Sequence, residues 1–167
     1  MGNCLGRKKW PDPSTVDTVP HKDKIINVFV SEVYDGDTCT VLIPFSKECL
    51  RLRIRIQNID APEVKVKIPK TRKESKTTTE YLEEKAGVVV RDYTRTLIDK
   101  KQVKAKLVKW DKYGGRVVGD VFFGKHHTPL SSHLLDLGYA KPYGGGKKDE
   151  WTTKELDRIV KNRTTQR

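Results

Sequence analysis

The 167-residue sequence predicts an α+β fold: a five-stranded β-barrel, a helix after the third strand, and further helices at the C-terminal end. Three observations predict it. Segments rich in β-branched residues alternate with turn signals in the first third of the chain. An apolar period of three and four residues follows, and then two more strand-like segments precede short helical patterns. This order is that of the OB-fold barrel, although the pattern alone leaves other α+β arrangements open.

The first three strands are predicted from apolar content and turn chemistry. Residues 25–33 are rich in Ile, Val and Phe, and Asp35-Gly36 is a turn signal before a second strand over residues 38–45. Residues 50–57 alternate in polarity, which predicts a third strand with two different faces. The apolar face comprises Leu50, Leu52, Ile54 and Ile56. The basic face comprises Arg51, Arg53 and Arg55.

The central helix begins at a capping-box pattern formed by Thr77 and Glu80. One apolar stripe follows at helical spacing: Leu82, Ala86, Val89, Tyr93 and Leu97. Two further strands are predicted over residues 103–110 and 117–123, joined by a tight turn over residues 111–115.

Two short helices are predicted in the last forty residues. Thr128-Pro129 begins the first, which runs to Leu137 and stops at Gly138. The second begins near Thr152, which forms another capping-box pattern with Glu155. Its predicted buried residues are Leu156, Ile159 and Val160.

The charge balance indicates a polyanionic partner. The net charge is +12, from 34 Lys and Arg against 22 Asp and Glu, which suits nucleic acid or an acidic membrane surface. A basic surface that only confers solubility is the alternative. Three cysteines without a CxxC pair, and no secretory leader, predict a reducing, intracellular compartment. Cys39 and Cys49 lie in strand-like segments and are predicted to be core residues.

The chain divides into three predicted parts. Residues 1–23 are a basic segment and a proline-containing linker, residues 24–162 form the barrel domain, and residues 163–167 are a basic tail. Gly2 and Cys4 are candidates for myristoylation and palmitoylation, which with nearby basic residues would hold the protein at the cytoplasmic face of a membrane. The alternative is an unmodified basic tail on a soluble cytoplasmic protein.

A long basic loop is predicted over residues 64–79, where six Lys and Arg face a single Glu. It either guides a polyanion electrostatically or is a solvated, disordered loop.

Two short acidic motifs flank the arginine strand: DGDT at residues 35–38 and IDAPE at residues 59–63. Each alone is explained as a turn, but together they favour a site for a hard cation, with Asp37 and Asp60 as ligands and Asp35 in support. Phosphodiester cleavage also needs a base and charge stabilisation. Glu63 is the candidate base, and Arg55 and Arg116 are the candidate phosphate-binding residues.

These motifs, with the later segments DKYGGR and LLDLGYA, resemble the staphylococcal nuclease (thermonuclease) family over roughly residues 25–160. The resemblance implies calcium binding by Asp37, Asp60 and the Ala61 carbonyl. It implies that Glu63 activates or orients water and that Arg55 binds phosphate. It also places Lys112 and Tyr113 near the nucleotide. The family hydrolyses DNA and RNA, usually with calcium, and leaves 3′-phosphate ends.

The sequence departs from the family pattern in the turn before the last strand, where Gly115 separates Tyr113-Gly114 from Arg116. A slip of one residue reverses the face of a strand side chain. Arg116 is therefore expected to serve only if the glycines form a bulge that restores its direction. Asn58 stands where the family often has glycine, and Asn tolerates left-handed backbone angles.

The leading hypothesis is a calcium-dependent, sugar-nonspecific nuclease, expected to be monomeric, that contacts the nucleic-acid backbone and stacks bases on Tyr113 or Tyr143. One alternative is a non-catalytic nucleic-acid-binding OB-fold module. A membrane-tethered adaptor is another, and it is compatible with catalysis. The sequence indicates no protein partner.

Overall fold

The computed structural model describes residues 11–45, 47–66, 76–112 and 115–162. Within these ranges lie eight strands, three α-helices and a short 3₁₀ turn at Pro13–Thr15. The strands and helices in chain order are β1 Ile25–Asp35, β2 Thr38–Phe45, β3 Glu48–Ile56, β4 Ile59–Asp60, α1 Thr78–Ile98, β5 Gln102–Trp110, β6 Val117–Phe123, β7 Thr128–Pro129, α2 Leu130–Asp136, β8 Lys141–Pro142 and α3 Thr153–Asn162.

Five of the strands close into the predicted barrel. Antiparallel pairing gives the order β3-β2-β1-β5-β6, and β3 then pairs with β6 in parallel, with Ile54 opposite Val117. The short strand β7 pairs antiparallel with the end of β6, and β4 and β8 form a separate two-stranded ladder. The α+β fold predicted from the sequence, with an OB-type barrel and a helix after the third strand, is confirmed.

The barrel is filled by the inward side chains of its strands and is covered by α1. Val30, Val41 and Ile54 are fully buried there. In α1 the most buried apolar positions include Ala86 and Val90, and the band is wider than one stripe because the helix packs against both β1 and α3. Three members of the predicted stripe are only half-buried: Leu82, Tyr93 and Leu97.

Both predicted capping boxes are present. The Glu80 N–H donates to the Thr77 hydroxyl at 3.2 Å while the Thr77 N–H donates to the Glu80 carboxylate at 2.7 Å. Thr152 and Glu155 exchange the same pair of bonds before α3, at 3.4 Å and 2.8 Å. Each box satisfies backbone N–H groups that a helix start leaves without partners.

The structure corrects two predictions. Cys39 is buried as expected, but Cys49 is exposed, because it shares the outward phase of β3 with the arginines. Thr128-Pro129 does not begin a helix: it forms β7 opposite Phe122 and Phe123, and α2 starts one residue later. Gly138 ends that helix with φ of +66°, as predicted for a glycine stop.

Part of the predicted linker packs against the barrel. Val19 is buried, the Asp23 N–H donates to the Leu107 carbonyl at 2.7 Å, and the Trp110 indole donates to the Thr18 carbonyl at 3.2 Å. Gly2, Cys4, Tyr113, most of the basic loop and the basic tail lie outside the described residues. In the part that is described, no helix is long and apolar enough to cross a membrane.

Candidate active site

The fold brings the two acidic motifs together at the ends of β1, β3 and β4. Asp37 lies in the turn between β1 and β2, and its carboxylate accepts the Ala61 N–H at 2.9 Å and the Thr38 hydroxyl at 3.1 Å. The Ile56 N–H donates to the Asp37 carbonyl at 2.8 Å, which fixes the end of β3 against this turn. Asp37 and Asp60 are both buried.

Asp60 is positioned by the ladder between β4 and β8, in which it pairs with Lys141. The chain reaches β4 through Asn58, whose φ of +61° is left-handed, and the Asn58 carbonyl accepts the Tyr143 N–H at 2.9 Å. Asn tolerates this conformation, so the substitution for glycine leaves the turn intact, as the sequence suggested.

Arg55 lies between the two aspartates. Its guanidinium forms ion pairs with the Asp37 carboxylate and, at 3.0 Å, with the Asp60 carboxylate, and it donates to the Ile59 carbonyl at 3.2 Å. Only 12% of its side chain is exposed. Its remaining face is turned toward Tyr143, with 5.9 Å from the Arg55 Cζ to the ring centroid. The predicted phosphate ligand is therefore held in one orientation by two buried carboxylates.

The turn that carries Asp37 packs too closely on α1 for a side chain at Gly36. A Cβ there would lie 2.5 Å from Val90 Cγ1 and 2.9 Å from the Ala61 Cβ. The small residues Gly36 and Ala61 thus let the two acidic motifs meet beneath the helix.

Asp35 supports this turn through the backbone. Its carboxylate accepts the Asp37 N–H at 3.3 Å. Burial, followed by the neighbouring Glu63 carboxylate, raises the pKa of Asp35 to about 6, against the lowering effects of Thr38 and the arginines.

Glu63 follows Pro62 at the mouth of the site. Its N–H donates to the Glu83 carboxylate at 3.3 Å, and its own half-exposed carboxylate lines the cavity. Burial raises the pKa of Glu83, although the bond from the Glu63 N–H opposes this shift. A carboxylate that is accessible yet held at its backbone is suited to accept a proton from water.

The sequence did not predict Lys148. Its ammonium lies 2.8 Å from the Asp60 carboxylate and 2.9 Å from the Glu63 carboxylate. Burial works against the charge, but these two ion pairs raise the pKa of Lys148 above its ordinary value. The available signal was a run of three glycines followed by two lysines over residues 144–148, just after Tyr143.

Arg116 lines the same cavity as Arg55 and Glu63. Gly115 has φ of +71°, the left-handed conformation that the sequence analysis required for redirecting the following side chain. The guanidinium is held by Asp111 through bonds of 2.6 Å and 3.0 Å. Arg116 thus lies at the wall of the cavity, where Asp111 fixes its guanidinium.

The predicted substrate-binding residues Lys112 and Tyr143 also line this cavity, whose volume is about 780 Å³. The Lys112 ammonium donates to the Gly145 carbonyl at 2.8 Å, and the Tyr143 hydroxyl donates to the Gly146 carbonyl at 3.1 Å. Both side chains therefore border the glycine run at the wall of the cavity.

The donor set fits a hard divalent cation. Asp37 and Asp60, both buried, would supply carboxylate oxygens, and Ala61, which follows Asp60 directly, could add its backbone carbonyl. Among the described residues no three His, Cys, Asp or Glu side chains form a metal-binding group. A cation held here would complete its shell with water and substrate oxygens, as calcium and magnesium commonly do.

Comparison with known proteins identifies the family. The sequence model of the family described as staphylococcal nuclease homologue matches residues 53–167, which include Arg55, Asp60, Glu63 and Arg116. Asp37 precedes the matched segment and contacts it through the hydrogen bonds that it accepts from the Ala61 and Ile56 N–H groups. No curated protein matches the chain. The match covers more than half of the sequence, and the chain belongs to the staphylococcal nuclease homologue family.

Proposed function

We propose that this protein is a calcium-dependent, sugar-nonspecific nuclease that hydrolyses DNA and RNA phosphodiesters and leaves 3′-phosphate ends. The observation that carries the proposal is the position of Arg55 between Asp37 and Asp60, in one cavity with Glu63 and Arg116. Carboxylates for a cation, guanidinium groups for a phosphate and an accessible base are the parts that such a reaction requires.

The substrate is recognised through its backbone. Arg55 and Arg116 offer phosphate oxygens the N–H groups that their carboxylate partners leave open, and Lys112 adds a further positive charge at the cavity wall. Tyr143 offers an aromatic face for a base. Charge and stacking are independent of sequence, and they act on DNA and RNA alike.

The chemical step is hydrolysis by an in-line water. Glu63 accepts a proton from this water at a carboxylate oxygen as the water oxygen bonds to phosphorus. The bond from phosphorus to the 5′-oxygen breaks, and the 5′-oxygen takes a proton from solvent. Arg55 and Arg116 stabilise the charge that builds on the phosphate oxygens. Calcium, held by Asp37, Asp60 and the Ala61 carbonyl, would supply further positive charge against those oxygens.

The proposal is tested with a 5′-labelled single-stranded DNA and an RNA of the same sequence. We expect cleavage of both in calcium, loss of cleavage with a chelator, and 3′-phosphate termini by mass spectrometry. Arg51→Ala is the matched control for Arg55→Ala, because the two arginines share a strand face and Arg51 is exposed. Binding of both nucleic acids without cleavage in any divalent cation would instead identify the non-catalytic module.

The N-terminal segment carries a separate proposal about location. We infer from the sequence that Gly2 and Cys4 are acylated and hold the enzyme at the cytoplasmic face of a membrane. Intact mass of protein made in a eukaryotic host tests this directly. A mass gain of one myristoyl group and one palmitoyl group is expected, and an unmodified Gly2 contradicts it.

A further inference from the structure

We propose that Lys148 is a tethered counter-ion that competes with the divalent cation for the carboxylates of the active site and so sets the calcium requirement of the protein. The inference rests on the proposed function, because it takes Asp60 as a calcium ligand. It assigns a task to a residue that neither acidic motif contains.

The competition follows from the two cationic side chains that already contact the Asp60 carboxylate. One of its oxygens, Oδ1, accepts both the Arg55 guanidinium at 3.0 Å and the Lys148 ammonium at 2.8 Å. A carboxylate oxygen has two lone-pair directions, so these two cationic donors saturate it. A cation that ligates Oδ1 must displace one of them, and a Lys148 ammonium that withdraws to water also leaves its second contact, the Glu63 carboxylate at 2.9 Å.

Lys148 is the donor that can leave. Arg55 is fixed by three partners and is 12% exposed, whereas the Lys148 side chain is 46% exposed. Withdrawing Lys148 returns an ammonium to water, where it is strongly hydrated. Withdrawing Arg55 would break its bonds to Asp37 and to the Ile59 carbonyl in addition.

The segment that carries Lys148 has room to move. Gly144, Gly145 and Gly146 have no neighbouring atom within 4 Å of where a Cβ would stand, and Gly145 has φ of +90°. Residues 144–150 are all exposed. The bonds that the Gly145 and Gly146 carbonyls accept from Lys112 and Tyr143 are exposed, and glycine adopts many backbone angles, so release of the ammonium requires no rearrangement of the barrel.

Calcium affinity, measured by titration calorimetry on the full chain, tests the proposal. Lys148→Gln is expected to bind calcium about fivefold more tightly than the wild type, a size set by the modest strength of solvent-accessible ion pairs. Lys147→Gln is the matched control: it removes the same charge from the adjacent exposed residue and should change the affinity less than about twofold. Lys148→Arg keeps the charge and should remain close to the wild type.

Two results would overturn the inference. If Lys148→Gln binds calcium no more tightly than Lys147→Gln, the contact on Asp60 does not compete with the metal, and the proposed nuclease function stands unaffected. If the wild type neither binds calcium nor cleaves nucleic acid in it, the proposed function fails and the competition fails with it.

Discussion

A Cβ added to Gly87 would lie 2.5 Å from the carbonyl carbon and oxygen of Glu63 and 2.7 Å from the next backbone nitrogen. The middle of α1 therefore touches the backbone of the segment that presents the candidate base, with no space between them for a methyl group. This contact with α1 fixes the position of the Glu63 backbone, and the Glu83 carboxylate accepts the Glu63 N–H.

Gly87→Ala should consequently impair catalysis. Alanine favours a helix by about 1 kcal/mol over glycine, so α1 itself gains stability. The methyl group must nevertheless push the Glu63 backbone outward, and a displacement near 1 Å can cost about 100-fold in kcat. Rates on single-stranded DNA check this, with Gly124→Ala as the control because that site is open and lies outside the cavity. Wild-type kcat in Gly87→Ala would contradict the role of this contact.

Gly115→Ala tests how Arg116 is aimed. Gly115 has φ of +71° and no atom near its Cβ position, so the substitution acts only through the backbone angle. We expect a loss of about 1 kcal/mol in stability and at least a tenfold loss in kcat as Arg116 turns from the cavity. Gly124→Ala has the same open space and φ of +69° but lies outside the cavity, and it should lose stability alone. Equal kcat values in the two variants would show that the direction of Arg116 does not affect catalysis.

The two described cysteines should differ in reactivity. Burial, together with the Asp35 and Asp120 carboxylates, raises the pKa of the Cys39 thiol to about 12, so at pH 8 almost none is thiolate. Cys49 is exposed. In a Cys4→Ser background, iodoacetamide at pH 8 should label Cys49 within minutes and leave Cys39 unmodified until unfolding, as mass spectrometry of peptides will report. Rapid labelling of Cys39 in the folded protein is the outcome opposed to this account.

The contribution of Glu155, in the first turn of α3, to the stability of the fold depends on pH. Burial acts against the charge, but the Lys141 ammonium and the Thr152 N–H and hydroxyl lower the pKa of Glu155 from 4.5 to about 2. A depressed folded pKa stabilises the protein above the unfolded pKa, and this contribution is lost as pH falls from about 4.5 toward 2. Since 43% of the side chain is exposed, solvent screening limits the contribution.

Glu155→Gln should therefore lose about 0.5 kcal/mol of unfolding free energy at pH 7. The difference from wild type should shrink below pH 4.5 and disappear below pH 2, as followed by denaturant unfolding at a series of pH values. Glu48→Gln, at an exposed position at the start of β3, controls for loss of a carboxylate. A difference that is constant from pH 7 to pH 3 would show that the stabilisation does not come from the charge.

Local patterns predicted those parts of the site that lie close together in sequence. Strict alternation identified the face of Arg55, and the two acidic motifs on either side of that strand together indicated Asp37 and Asp60, although each motif alone is explained as a turn. Extended by one residue, the same alternation places Cys49 on the outward face with the arginines. Cys49 was nevertheless predicted to be a core residue because the segment around it is rich in apolar residues. Lys148 had no such pattern, because its contact with Glu63 joins residues 85 positions apart. Gly87 likewise reads as an unfavourable helix residue until the approach of Glu63 is known.

The most direct test of the account is the turnover of Glu63→Gln on single-stranded DNA in saturating calcium. Gln keeps the shape of the side chain and removes its ability to take a proton, so kcat should fall by about 100-fold or more while DNA affinity stays within about twofold. Asp136→Asn, at an exposed position of α2, should match the wild type in both quantities. Cleavage by Glu63→Gln at the wild-type rate would contradict the assignment of Glu63 as the base.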